Sequence, residues 1–259
     1  MFLERMNYLG VETYLKDHDT VILPVGSLEN HGRHMPLGTD TLIPARIAEL
    51  VTKLSDVAIA PILPYGSTED IRGFAGTISL GNTLLKQVLS CICGQLYDTG
   101  FRHFIILNGH GGNNAAINEV GQELYRKGAI LACVNWWLIA GQLNPDWKGG
   151  HGGGEETAAI MGIDESLIHR EFLGDDEETR NDLGEELPGN GWTGVTFRGA
   201  SITVPRPIHA ITDNGWLTHG MGFDPPTKAT PEWGKEMLDT MADYVAAFAE
   251  TFSRVKLPE

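Results

Sequence analysis

Four short apolar runs dictate what this chain can fold into. They are "TVILPV" (20–25), "VAIAPIL" (57–63), "HFIILN" (103–108) and "AILACVNWWLI" (129–139). A strand with one wet face alternates apolar and polar residues. These runs do not alternate, so both of their faces must be covered. Between them lie segments with apolar residues at helical spacing. "TLIPARIAELVTKLS" (41–55) carries Leu42, Ala45, Ile47, Leu50 and Val51 on one stripe. "NTLLKQVLSCICGQLYDTG" (82–100) aligns Leu84, Leu85, Val88, Leu89, Ile92 and Leu96, with Asn82 as its expected cap. "NNAAINEVGQELYRKG" (113–128) opens at Asn113 and stops at Gly128, and a last helix is expected near 232–255. Buried strands alternating with helices predict an α/β protein, a three-layer α/β/α sandwich around a mostly parallel sheet. At 259 residues, the whole chain (1–259) fits a single domain with a sizeable core. The segment 171–192, "EFLGDDEETRNDLGEELPGNGW", fits no element and reads as an acidic surface excursion.

Parallel sheets place their sites just beyond the carboxyl ends of their strands. Here those ends carry imidazoles and carboxylates. "GSLENHGRHMPLGTD" (26–40) holds Glu29, His31, His34 and Asp40. Glu29 and His31 are two apart, so in extended backbone they share a face. "NGHGGNN" places His110 at the next strand end, and "HGGGEET" brings His151, Glu155 and Glu156. Imidazole and carboxylate without thiolate suit Zn²⁺, Mn²⁺ or Fe²⁺, one or two ions per subunit. Glu29 could cap a helix, but His31 and Asp40 in the same loop favour ligation. His34 reads equally well as a partner that orients a ligand. His110 could be a turn residue, and its flanking glycines also suit an anion nest; ligation is preferred. His18, His103, His169, His209 and His219 lack such company and read as surface or core residues. Ser67, Gly111, Gly112 and Asn113 are expected to contact a substrate.

Several classes are excluded. No "GxxxxGK[ST]" occurs, so there is no P-loop, and no "GxSxG" serves a serine hydrolase. A net charge of −15 argues against nucleic acid and anionic membrane surfaces. No apolar run approaches the roughly 20 residues of a membrane span, and no secretory signal is evident at the start. Three cysteines, Cys91, Cys93 and Cys133, form no disulfide framework and suggest a reducing cytoplasm, with Cys91 and Cys93 as buried thiols in a helix.

The strings "PVGSLENHGRHMPLGTD", "FAGTISLG", "NGHGGNN" and "HGGGEET", in this order, resemble the creatininase family, with similarity from about Val21 to about Lys235. The resemblance implies an α/β/α metal-dependent hydrolase that assembles as a homo-oligomer, commonly a hexamer, and acts on a small-molecule substrate. It implies that Glu29 and His31 hold different metals, that Asp40 is shared by both, and that His110 holds the first. It implies a proton-shuttle role for His151, a functional Glu156, and Trp147 as a lid over substrate. The chain departs from creatininase itself. Gly111 and Gly112 stand where creatininase has Tyr-Glu, that Glu being a ligand of the second metal. Glu156 is then the expected replacement ligand. Lys148 and Gly150 replace two acids, and Ile71 replaces a histidine common among relatives. The expected activity is hydrolysis of a cyclic amide or formamide by metal-activated water. Lys148, in place of an acid, points to the alternative, a cyclic sugar derivative or lactone. An inactive metal-binding assembly subunit is the second alternative.

Overall fold

The computed structural model describes residues 1–174, 183–190, 193–215 and 224–259. Helix α1 (Tyr8–Tyr14) precedes strand β1 (Thr20–Val25), followed by α2 (Thr39–Val51) and β2 (Ala58–Ile59). Then come α3 (Gly81–Thr99), β3 (His103–Asn108), α4 (Asn114–Arg126), β4 (Ile130–Asn135), α5 (Trp136–Leu143) and α6 (Gly154–Asp164). Strands β5 (Gly189–Asn190), β6 (Gly194–Phe197) and β7 (Ala200–Thr203) form a separate antiparallel sheet, and α7 (Pro231–Phe252) comes last.

The central sheet runs β2-β1-β3-β4, and every pairing in it is parallel. Alternate residues feed two cores, as the period of two requires. Ile22, Ile105, Leu107 and Val134 pack with α2, α6 and α7 on one face. Val21, Leu23, Val25, Phe104 and Ile106 pack with α3 and α4 on the other. This is the expected layered α/β arrangement. Its register sets up the site. Val25 pairs with Asn108 and Asn108 with Asn135, so three strands end level and deliver the segments that follow them to one edge.

The expected elements shift where local chemistry overrides the apolar pattern. The run 57–63 yields only a two-residue strand, because Pro61 has no N–H for a ladder; beyond it Leu63 makes one isolated bridge to Val25. The run 129–139 is strand only to Asn135. Trp136 and Ala140 are both buried four residues apart, which is helical spacing, and Trp137 and Leu138 turn outward. Asn82 does not cap α3; its amide donates to Glu119 Oε1 at 3.4 Å. Cys93 is buried, with its pKa pushed up to about 12 by that burial, whereas Cys91 is exposed, contrary to expectation. Of 171–192, residues 175–182 and 191–192 lie outside the described residues, as does His219. The part that is described contributes β5, which pairs with the β6–β7 hairpin. That hairpin turns at Arg198 and Gly199, both with positive φ, the geometry of a two-residue hairpin turn. Among the described residues, no helix is long and apolar enough to cross a membrane.

Candidate metal centre

Two strand-end loops, the turn before α6 and the starts of two helices converge. The loop after β1 supplies Glu29 and His31, and the first turn of α2 supplies Asp40. The loop after β3 supplies His110. The turn before α6 supplies His151, and the first turn of α6 supplies Glu155 and Glu156. Glu29, His31 and Asp40 are at most 2 % exposed.

Two glycines and a proline permit this convergence. Pro44 has no N–H for the carbonyl one turn earlier in α2, which is that of Asp40. The chain at Gly109 lies against this freed carbonyl: a Cβ there would stand 1.9 Å from the Asp40 oxygen. At Gly112 a Cβ would stand 2.1 Å from the Ser67 carbonyl oxygen and 2.5 Å from His110 Nε2. No side chain fits there, so a glutamate ligand from that position is impossible in this backbone.

Hydrogen bonds to backbone carbonyls assign the histidine tautomers. His110 Nε2 lies 3.0 Å from Ser67 O and therefore carries a proton, leaving Nδ1 as the lone-pair nitrogen of the neutral ring. Yet Nδ1 faces two carboxylate oxygens, Asp40 Oδ2 at 3.0 Å and Glu29 Oε1 at 3.2 Å. His31 repeats the pattern. Its Nδ1 lies 3.2 Å from Glu29 O, and its Nε2 faces Asp40 Oδ1 at 3.0 Å, Glu156 Oε2 at 3.8 Å and Glu29 Oε1 at 3.9 Å. A lone pair against carboxylates is repulsive unless a proton or a metal cation lies between them. The buried atoms Glu29 Oε1 and Asp40 Oδ2 lack any well-formed hydrogen bond, as ligand atoms would. One Asp40 oxygen faces each imidazole, so two donor groups share it: Glu29, Asp40 and His110, and His31, Asp40 and Glu156. A third group is Glu29, His31 and His151, with His151 Nδ1 3.6 Å from Glu29 Oε1 and its ring stacked 4.3 Å from that of His31. These donor sets fit a divalent cation.

Without a metal, the cluster shares protons. Burial opposes charge on His31, but the Asp40 and Glu156 carboxylates outweigh it and push the pKa up to about 10. Against the same burial penalty, Glu29 and Asp40 hold His110 well above its ordinary value. Burial would raise Glu29 and Asp40, but His110 and His31 respectively hold them below the usual carboxylate range. Burial, then the charge on His31, drives His151 down to about 3. Burial lifts Glu156 to about 7 against the pull of His31, and lifts Glu155 well above its ordinary value with help from Glu156.

Other expected residues divide. His34 is in none of the donor groups. Its Nε2 lies 3.0 Å from the Thr157 hydroxyl, which itself donates to Gly153 O, so His34 braces the loop before α6. Ser67, Gly111 and Gly112 line a cavity of about 380 Å³ that opens onto the cluster. Asn113 does not line it: fully buried, it donates to Gly26 O and accepts from Ser67 N, tying two loops together. Trp147 does not line it either. It is buried in the apolar core, and the aromatic on the cavity wall is Trp137. Trp137, Leu138 and the rim acids Glu69 and Asp70 were not singled out from sequence. Reading Trp136 and Ala140 as a helical pair would have turned Trp137 and Leu138 towards this edge.

A family model described as "Creatininase: Creatinine amidohydrolase" matches residues 4–249. A 3-dehydro-scyllo-inosose hydrolase of Thermotoga maritima is 29% identical, the match covering 100% of this chain and 86% of that protein. A mycofactocin precursor peptide peptidase of Mycobacterium ulcerans is 27% identical over 86% of this chain and 82% of its own. A candidate creatinine amidohydrolase of Bacteroides fragilis has a solved structure with a TM-score of 0.76 at 25% identity, covering 100% of this chain and 98% of that one. Solved creatininases in manganese and Zn–Zn forms give TM-scores of 0.74 and 0.73 at 22% identity, over 98% of this chain and 99% and 98% of theirs. The family match spans nearly the whole chain and the fold agrees with it: this protein belongs to the creatininase family of hydrolases.

Proposed function

We propose that this protein is a divalent-metal-dependent hydrolase that cleaves an amide-type C–N bond, in a cyclic amide or a formamide, within a small polar molecule. The observation that carries the reading is the pair of carbonyl-fixed imidazoles whose lone-pair nitrogens face shared carboxylates. Zn²⁺, Mn²⁺ and Fe²⁺ suit these nitrogen and oxygen donors, and a bound ion would supply Lewis acidity and an activated water. Glu29, Asp40 and His110 would hold one ion, and His31, Asp40 and Glu156 a second. His151, whose Nδ1 lies 3.6 Å from Glu29 Oε1 beside the cluster, would accept a proton and return it to the leaving nitrogen, with a bound ion replacing the charge that holds its pKa down in the metal-free cluster. Ser67, Gly111 and Gly112 border the space a substrate would occupy. A second reading, hydrolysis of a cyclic sugar derivative, is favoured by the name of the Thermotoga relative. A product with a newly freed amino group, attached to the opened ring or released with formate, separates the first reading from the second.

Elemental analysis of the purified protein is the direct test. At least about one equivalent of a transition metal per chain is expected. Less than about a tenth of an equivalent, with no hydrolysis gained on adding Mn²⁺ or Zn²⁺, rejects the reading.

Two further results are expected. The neighbouring carboxylates keep protons on His31 and His110 that a metal must displace, so binding strengthens as pH rises towards about 10, the His31 value. Calorimetric titration of metal-free protein at pH 7, in buffers of differing ionisation enthalpy, should show about one to two protons released per site. Buffer-independent heats would contradict the pairing. Glu156→Gln should lower metal content or abolish turnover with the fold intact, because Gly112 supplies no ligand. Unchanged metal content and activity would leave Glu156 as a favourable acid at the N-terminus of α6, and a one-metal site would replace the two-metal one.

A further inference from the structure

The cavity wall is one-sided in charge. Glu29, Asp40 and Glu156 belong to the metal cluster, but three more acids line the same space: Glu155, Glu69 and Asp70. No Lys or Arg side chain lines it among the described residues. Lys148, next to the wall residue Gly149, turns its stem towards Gly141 instead, where a Cβ would meet its Cγ at 2.9 Å. This removes the sequence argument for a less cationic substrate. Arg72 is committed to Glu69, 3.5 Å away, and Ser79 also donates to Glu69. Asp70, exposed at the mouth, has no ion pair among the described residues. Deeper in, Glu155 is 1 % exposed, and its Oε2 has no hydrogen-bond partner. A buried carboxyl oxygen left over on a cavity wall calls for an N–H or O–H group from whatever fills the cavity. Trp137, Leu138 and Ile71 supply the apolar part of the lining.

Two divalent ions would carry +4 against the −3 of Glu29, Asp40 and Glu156, a surplus of one. The rim acids would remain, and with one ion the balance is more negative still. A phosphate or carboxylate substituent would meet like charge at the mouth and find no guanidinium or ammonium to receive it.

We propose that this cavity selects a small substrate that is cationic or uncharged, offers N–H or O–H donors, and bears no phosphate or carboxylate, with Asp70 as the specificity-determining residue at the mouth. The word substrate rests on the hydrolase reading; the binding preference does not.

Three lactams that share one five-membered ring test it: 3-aminopyrrolidin-2-one (cationic), pyrrolidin-2-one (neutral) and pyroglutamate (anionic). Binding to Mn²⁺-loaded protein is measured by calorimetry at low salt, in the native chain and in Asp70→Lys. The cationic lactam should bind native protein at least about tenfold more tightly than pyroglutamate, with the gap narrowing as salt screens the mouth. Asp70→Lys should shrink that ratio by about tenfold without changing metal content. Whatever the pyroglutamate carboxylate gains at the metals is common to both proteins and cancels in this comparison. Equal or tighter binding of pyroglutamate to native protein overturns the proposal. So does an unmoved ratio in Asp70→Lys, or failure of both other lactams to bind below about 10 mM. Lactams that bind as expected but are never opened would count against the amide-hydrolase reading and leave this one standing.

Discussion

Asp40→Ala should retain less than about a tenth of the native metal content and show no measurable turnover, because two donor groups lose the same side chain. Removing even an outer partner of a ligand typically costs about 10–100-fold in metal affinity, and losing a ligand facing both imidazoles should cost more. The fold itself should survive. Breaking an isolated buried ion pair costs roughly 3–5 kcal/mol. Here the loss is offset, because Asp40 also repels the neighbouring Glu29 and Glu156 carboxylates. Elemental analysis beside a thermal melt separates the two effects. Full metal stoichiometry in Asp40→Ala would remove the shared-ligand assignment.

His151→Ala should keep its metal and lose about 10²–10⁴-fold in kcat, the usual contribution of a positioned acid–base group. Its ring stacks on His31 and its Nδ1 lies near Glu29, so geometry alone also permits ligation. The two roles differ in outcome. A proton carrier that is lost leaves metal content near native and flattens one limb of the pH–rate profile. A lost ligand empties the protein of part of its metal and lowers activity in proportion. Metal loss from His151→Ala would move this residue from proton carrier to ligand.

The sheet was legible because its strands are apolar on both faces, and little but a parallel, doubly covered sheet accepts "HFIILN" or "TVILPV". Glu29, His31, Asp40 and His110 were legible because a level register brings the segments after β1 and β3 together, whereas Glu156 joins them from the start of α6, one helix beyond β4. What failed was the reading of apolar runs that contain a change of element. "VNWWLI" passes from strand to helix at Asn135, a single polar residue in an otherwise apolar run, and the burial of Trp136 with Ala140 shows the helical spacing that follows. Asn113 and Trp147 failed for another reason. Nothing in a polar or aromatic residue beside a site says whether it faces the cavity or holds the loops behind it; Asn113 ties Ser67 to Gly26, and Trp147 packs into the core. The rim acids Glu69 and Asp70 sit in a short 3₁₀ turn with no periodicity to flag them.

The contact between Gly109 and the freed Asp40 carbonyl divides the molecule into parts an engineer could and could not alter. Any side chain at Gly109 would push against the first turn of α2 and carry Asp40 with it, so the donor geometry tolerates almost no adjustment from that side. The mouth has no such constraint: Asp70 and Leu138 are exposed. New substrate preferences should therefore be reachable through a handful of rim substitutions over an unchanging centre. A library that randomises Asp70, Trp137 and Leu138 should be rich in folded, metal-loaded variants, and one that randomises Gly109 and Gly112 should be nearly empty of them.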